Sequence, residues 1–247
     1  MNVAAALDTL LGRLSDAQLV ALADACEPLA RPAPACVAAL AGASPAALDA
    51  VGELTEAWAL DPAMTGSGIA LALRIGAAAR RRHQDARPRP VWTGPGAAGE
   101  ERLTAAVLHE LLAHARERIL LVSYAAHTLP EVAADLRAAV VRGCQVDVVF
   151  ETTEDNRAFQ GGDTAFAAIA GITRWRWPAQ RRDAGAALHA KLLVVDGQRA
   201  LVGSANLTHY ALALNLEVGL TLTDPEVASA LESHVRGLMQ AGVLVRI

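Results

Sequence analysis

The sequence predicts a small all-α region followed by a layered α/β domain, a mixed β-sheet flanked by helices. Three observations predict it. Residues 1–84 are rich in alanine and leucine, with helical periodicity and no strand-like alternation. Residues 85–99 contain Arg87-Pro88-Arg89-Pro90 and Gly94-Pro95-Gly96, a composition that marks a boundary. From Glu100 onward apolar strand-like runs alternate with amphipathic helical stretches, the rhythm of a largely parallel or mixed sheet covered on both faces. The expected domains are therefore 1–84 (helical), 85–99 (linker) and 100–247 (α/β).

Each element has a local cause. Ser15-Asp16-Ala17-Gln18 is a capping box opening a helix to about Cys26, and Pro28, Pro32 and Pro34 end it. Ser44-Pro45 supplies an N-cap and a first-turn proline for a helix to about Leu60. Thr65-Gly66-Ser67-Gly68 reads as a break, followed by a helix from Ile69 to Arg82. Its last turn carries Arg80, Arg81 and Arg82, which suit the negative end of the helix dipole; phosphate binding is the competing reading. Val91-Trp92-Thr93 reads as a short edge strand. Beyond it the pattern gives helix 100–116, strand 119–123, helix 130–142, strand 145–150, helix 163–169, strand 172–175, a hairpin, strand 216–222 and helix 224–241.

The hairpin carries the chemistry. An apolar run from Lys191 to Val195, a turn at Asp196-Gly197 and a second run from Ala200 to Val202 define it. His189 and Lys191 are two apart, the spacing that points both side chains to one face of a strand. Among 22 basic residues Lys191 is the only lysine. A chain that uses arginine everywhere else keeps a compact ammonium where a planar guanidinium does not fit.

His189, Lys191 and Asp196 fit H-x-K-x4-D, and Gly203-Ser204-Ala205-Asn206 fits G-S-x-N. This pair of motifs resembles the phospholipase D superfamily. The resemblance implies a phospholipase D-like layered domain in which His189 is the nucleophile on a phosphodiester, Lys191 and Asn206 hold phosphate oxygens, and Ser204 assists. It also implies that Glu217, in Asn215-Leu216-Glu217, hydrogen-bonds the nucleophilic imidazole. Asp196, in a D-G turn, is read equally as a turn-former, and Gly203 as a supporting residue. The family sets two such motifs across a two-fold axis, one histidine attacking and the other protonating the leaving oxygen. Only one H-x-K is present here, which implies a homodimer sharing one active site. The implied mechanism needs no metal and no cofactor.

The substrate is open between three readings. Small single-motif members resemble nucleases, which points to DNA. The lipid enzymes of the superfamily give the alternative, a phospholipase or phosphatidyl transferase. The helical region with V-W-T-G-P (91–95) and L-L-V-S-Y-A (120–125) resembles the phospholipase D-like component of the DISARM anti-phage defence system. That resemblance implies a defence role with other defence-system proteins as partners, or, as the third reading, a non-catalytic assembly subunit.

Charge and composition bound the rest. The net charge is −4, which does not by itself point to nucleic acid. The three cysteines, Cys26, Cys36 and Cys144, lack metal-ligand spacing and read as buried thiols. With no membrane-span pattern and no signal pattern, a cytoplasmic protein without membrane contact is expected. Ser123, Tyr124 and His127 follow a strand and are candidate pocket-wall residues. Arg174 and Arg176, in Arg174-Trp175-Arg176-Trp177, read either as part of a substrate groove or as strand-end residues. His109-Glu110-x-x-x-His114 has one residue too many for a zinc motif, since its histidines lie roughly 140° apart on a helix.

Overall fold

The computed structural model describes residues 2–94, 102–127, 129–156 and 164–247. The chain divides into two compact units, Met1–Asp85 and Ala86–Ile247.

The first unit is five helices: α1 (Val3–Arg13), α2 (Asp16–Cys26), α3 (Pro34–Ala38), α4 (Pro45–Ala59) and α5 (Gly66–Ala86). Their starts follow the sequence signals. Ser15 and Gln18 form the reciprocal capping box of α2, at 3.3 and 2.9 Å, and Ser44 caps α4 ahead of Pro45. Leu10, Leu22, Leu54, Trp58, Ile69 and Leu73 are fully buried at the centre, each contributing about 1.5–3 kcal/mol through removal from water.

Two expectations change here. The Thr65–Gly68 stretch starts α5 rather than breaking the chain: Gly66–Gly68 lie in its first turn and the Thr65 hydroxyl accepts the Gly68 N–H at 3.1 Å. A Cβ on Gly66 would lie 2.0 Å from the Cys26 carbonyl and 2.4 Å from that of Leu29, so glycine lets the helices meet. Arg80 does not serve the dipole of its own helix. Its guanidinium donates to the carbonyls of Leu11 and Leu14, at 2.6 and 2.7 Å, closing the end of α1, and pairs with Asp16. All three cysteines are buried free thiols.

The second unit contains β1 (Arg89–Thr93), β2 (Arg102–Leu103), α6 (Thr104–His114), β3 (Arg118–Ser123), α7 (Pro130–Val141), β4 (Gln145–Phe150) and β5 (Ile172–Arg176). There follow β6 (Leu192–Val195), β7 (Arg199–Gly203), α8 (His209–Ala213), β8 (Glu217–Leu222), α9 (Pro225–Gln240) and β9 (Val245–Arg246). The strands form one mixed sheet, in the order β2-β1-β8-β7-β6-β3-β4-β5-β9. β3, β4 and β5 are parallel, whereas the hairpin β6–β7 and its neighbours β3 and β8 run antiparallel. Helices α6 and α7 cover one face through Leu108, Leu112, Val132 and Leu136. On the other face α9 packs Ala228, Leu231 and Val235 against Leu120, Val122 and Val194.

Three local readings are corrected, the first being the expected helix 100–116, which starts only at Thr104 because Arg102 and Leu103 pair with β1 as β2. Residues 91–93 do not form an edge strand: β1 pairs with β8 and has the two-residue β2 outside it. In the stretch expected as helix 163–169, residues 164–169 form irregular turns, and Phe166 takes a left-handed φ of 58° while its side chain is buried. Residue 163 lies outside the described residues, as do residues 95–99 of the proline- and glycine-rich stretch and residues 100–101 of the expected helix 100–116. No helix among the described residues is long and apolar enough to cross a membrane.

Asp196 sits in the hairpin turn with φ 56°. Its carboxylate accepts the backbone N–H groups of Arg116, Glu117 and Arg118, at 2.9, 2.8 and 2.8 Å. Burial raises its pKa, but the three N–H groups and the Arg118 guanidinium outweigh that and hold it below the usual carboxylate range. A carboxylate whose folded pKa is depressed stabilises the fold above its unfolded pKa, about 3.9, and that contribution is lost as pH falls through the folded value. Asp196→Asn should therefore unfold at lower urea than wild type at pH 7, with the gap narrowing below about pH 4. A gap that stays constant into acid would show that the charge contributes nothing.

Candidate active site

Three neighbouring strands bring the motif residues to one end of the sheet. Lys191 enters β6, Gly203 ends β7 with Ser204 after it, and Glu217 begins β8. Leu193 pairs with Leu201 and Gly203 with Gly219, so strand alternation puts Lys191, Gly203 and Glu217 on the face of the larger core. The strands approach closely there. A Cβ on Gly203 would meet the Val218 carbonyl at 2.8 Å and the Gly219 Cα at 2.9 Å, both backbone atoms that cannot swing aside.

His189 lies three residues before β6, outside the strand and exposed. The Lys191 Nζ is 3.0 Å from its Nδ1 and 3.4 Å from its Nε2, and donates to the His189 carbonyl at 2.8 Å. Tyr124, just past β3, sets its ring 5.0 Å from the imidazole, and the Lys191 Nζ is 5.5 Å from the tyrosine ring centre. Burial pushes the Lys191 ammonium down in pKa, and the Glu217 carboxylate partly opposes this. The burial comes from an apolar crevice beside its stem, walled by Leu121, Leu193 and Leu201. A cation in such surroundings acts more strongly on an anion than one in open water.

Asn206 belongs to the loop after β7. Its Oδ1 accepts the Ala125 N–H at 3.3 Å, which leaves the Nδ2 donor as the part of the amide suited to an anion. Ser123 supports this loop rather than lining a pocket: it is buried, donates to the Ala125 carbonyl at 2.7 Å and accepts the Leu207 N–H at 3.1 Å. His127 is exposed and joins the same loop by its backbone, donating to the Leu207 carbonyl at 2.9 Å.

Glu217 corrects an expectation. Its carboxylate accepts from Ser204 Oγ and, at 3.1 Å, from Asn215 Nδ2, while the imidazole of His189 contacts Lys191 and Tyr124. The strand register explains this. The Ser204 N–H donates to the Val218 carbonyl at 3.0 Å and its Oγ accepts the Val218 N–H at 3.2 Å, so the serine sits opposite Val218, where its hydroxyl reaches the adjoining Glu217. Asn215 had no assigned role, although it sits in the same N-L-E run.

The structure does not bring the arginines of β5 to this cluster. β5 lies three strands from β6, about 14 Å across the sheet. Arg176 binds Asp155 at 2.8 and 2.9 Å and Glu154 at 3.1 Å, and the Arg174 carbonyl accepts the Ile247 N–H. The pairs formed by His109 with Asp135 and by His114 with the Glu110 carbonyl account for the two histidines of α6.

A mixed sheet between helical layers, with histidine, lysine, asparagine, serine and glutamate gathered at one strand end, defines a phospholipase D-like domain. The family model described as "Cardiolipin synthase, PLD-like domain" matches residues 108–239, and the chain belongs to that family. Cardiolipin synthase A of Pseudomonas entomophila is 30% identical over 146 residues, covering 57% of this chain and 29% of that protein. The same enzyme of Pseudomonas aeruginosa is 33% identical over 129 residues, 50% of this chain and 25% of that one. The chain thus spans less than a third of the length of these relatives. Among solved structures, the phospholipase D family member Nuc from Salmonella typhimurium superposes with a TM-score of 0.51 at 19% identity. It is covered over 99% of its length by 65% of this chain. NucT from Helicobacter pylori gives 0.52 at 16% identity, with 100% and 65% covered. Both share the fold.

Lys191→Arg keeps the charge but replaces a compact donor with a planar one. Turnover of bis-p-nitrophenyl phosphate should fall by about 10² to 10³, the cost of one misplaced transition-state donor, with the thermal midpoint unchanged. Near-normal turnover would show that a guanidinium serves equally well there.

Proposed function

We propose that the chain is a metal-independent phosphodiesterase acting through a phosphohistidine, and that its substrate is DNA. The observation that carries the phosphodiesterase reading is the Lys191 ammonium held against the exposed His189 imidazole, with Asn206, Ser204 and Glu217 on the adjoining strand ends. A ring nitrogen of His189 attacks phosphorus, the bond to the leaving oxygen breaks, and Lys191 and Asn206 neutralise the equatorial oxygens as charge spreads over them. The leaving oxygen takes a proton from a second histidine. Water then attacks the phosphorus, gives its proton back to that second histidine, and releases His189.

The second histidine is His189 of the partner subunit in an isologous dimer. Supporting this, Leu214 and Leu216, next to Glu217, are 58% and 75% exposed. A second copy placed there would bury an apolar surface and complete the site together.

DNA is the reading that the resemblance of the motif to the superfamily's nucleases favours. The lipid reading is favoured by the cardiolipin synthase relatives, and it predicts phosphatidyl hydrolysis or transfer instead. The defence role, with other defence-system proteins as partners in the cytoplasm, follows from the resemblance of 91–95, 120–125 and the helical region to the DISARM component.

Incubation with single-stranded DNA, double-stranded DNA, RNA and phosphatidylglycerol vesicles separates these readings. Cleavage of DNA in EDTA, absent from His189→Ala, is expected, because the phosphate clamp is an ammonium and an amide rather than carboxylates. Activity that vanishes in chelator and returns with magnesium would refute the mechanism, and lipid turnover alone would select the second reading.

A shared site has a quantitative signature. A mixed dimer of wild-type and His189→Ala chains lacks either the nucleophile or the acid, so activity after subunit exchange should fall as the square of the wild-type fraction. A straight line, or an active monomer by mass measurement, would refute the shared site.

A further inference from the structure

His189 is not placed by a strand. Between the end of β5 at Arg176 and the start of β6 at Leu192 runs an irregular segment with a single 3-10 turn, Ala179–Arg181. A nucleophile must be held within about 0.5 Å of its productive position, and a connection of that length does not hold one by itself.

One buried ion pair does the holding. Glu151, immediately after β4, is wholly buried, and the Arg182 side chain is 3% exposed. They meet bidentately, with Arg182 donating to Oε2 at 2.8 Å and to Oε1 at 2.9 Å. The same carboxylate accepts the N–H of Leu188 at 3.2 Å, one residue before the nucleophile, and that of Thr152 at 3.2 Å. Arg182 in turn donates to the carbonyls of Trp177 and Ala186 and lies 5.2 Å over the Trp177 ring. A single pair therefore grips the segment at 177, 186 and 188 and fastens it to the end of a central strand. Asp155 fixes the start of the segment by accepting the Ala179 N–H at 2.9 Å while it holds Arg176. Burying a carboxylate and a guanidinium carries a desolvation cost that an ordinary surface loop does not incur, and pairs of this kind are retained where they specify one arrangement.

We propose that the Glu151–Arg182 pair is the positioning device for the nucleophile, setting where His189 is presented to the phosphodiester through the Leu188 N–H. The proposal rests on the reading of His189 as nucleophile. Glu151 and Arg182 are positioning residues, because their closest described contact to His189 is with the backbone of the residue before it.

The test uses the full chain with bis-p-nitrophenyl phosphate. Glu151→Gln and Arg182→Lys should each lower kcat by about 10²-fold, the cost of a misplacement of about 1 Å, with KM little changed. Loss of fold alone would lower the active fraction, so kcat is normalised to the folded fraction read from each variant's thermal unfolding curve; a normalised kcat equal to wild type in both single variants would overturn the proposal. The double variant Glu151→Leu with Arg182→Met replaces the pair by apolar side chains, an exchange that is often neutral or stabilising. It should keep the thermal midpoint of wild type and still turn over about 10²-fold more slowly, because Leu188 has lost its acceptor. Recovery of wild-type kcat in the double variant would show that the pair acts through stability alone and overturn the proposal. Should the double variant fail to fold, the kcat of folded Arg182→Lys decides in the same way. Activity retained by His189→Ala would instead overturn the nucleophile reading, so the two failures are distinguishable.

Discussion

The carboxylate of Asp196 fixes where everything else in the α/β unit can lie. By accepting three consecutive N–H groups at the entrance to β3, it joins the hairpin turn to the strand beside it. That joint sets the β3–β6 register, Ile119 opposite Val195 through Val122 opposite Leu192. Once the register is set, Lys191 must emerge beside the end of β3, where Tyr124 begins the next loop. A slip of one residue would turn Lys191 to the face covered by α9. The aspartate of the motif therefore acts from the opposite end of β6, about 17 Å from the ammonium it positions. Its contribution is geometric, with no contact to the reacting groups.

The cluster at the other end depends on strands that come unusually close. Gly203 and Gly219 face each other across β7 and β8, and the space that two side chains would occupy is filled by backbone and, beside Gly219, also by the Val91 and Leu201 side chains. This brings Ser204 against Glu217 and puts their shared hydrogen bond beside the lysine. The result is a graded electrostatic site: a carboxylate satisfied by a hydroxyl and an amide, a partly desolvated ammonium, and an exposed imidazole.

Local signals in the sequence carried much of this. The Ser15 capping box, the Asp196-Gly197 turn and strand 145–150 are determined by residues within a few positions of one another, and they were legible for that reason. So was the grouping of His189 with Lys191, although the histidine reaches it from a loop rather than from the strand face that the spacing suggested. What was not legible depends on partners distant in the chain. Arg80 is committed to carbonyls 66 and 69 residues away, and Arg182 to a carboxylate 31 residues away. No periodicity marks such pairs. The failure at 164–169 has a different origin. Its composition suits a helix, but the burial of Phe166 on a left-handed backbone is decided by the core it fills.

The lone lysine has a consequence for chemistry that has nothing to do with phosphate. Apart from the amino terminus, the chain carries one amine in 247 residues, and burial lowers the pKa of that amine. Any acyl donor or aldehyde that meets this protein finds its one side-chain amine beside His189 at the candidate site. The twenty or so arginines on which another protein would have placed lysines offer it nothing comparable. The surface thus offers almost no amine to carbonyl chemistry, and lysine-directed modification, whether acetylation or glycation, would act directly on the group that contacts His189.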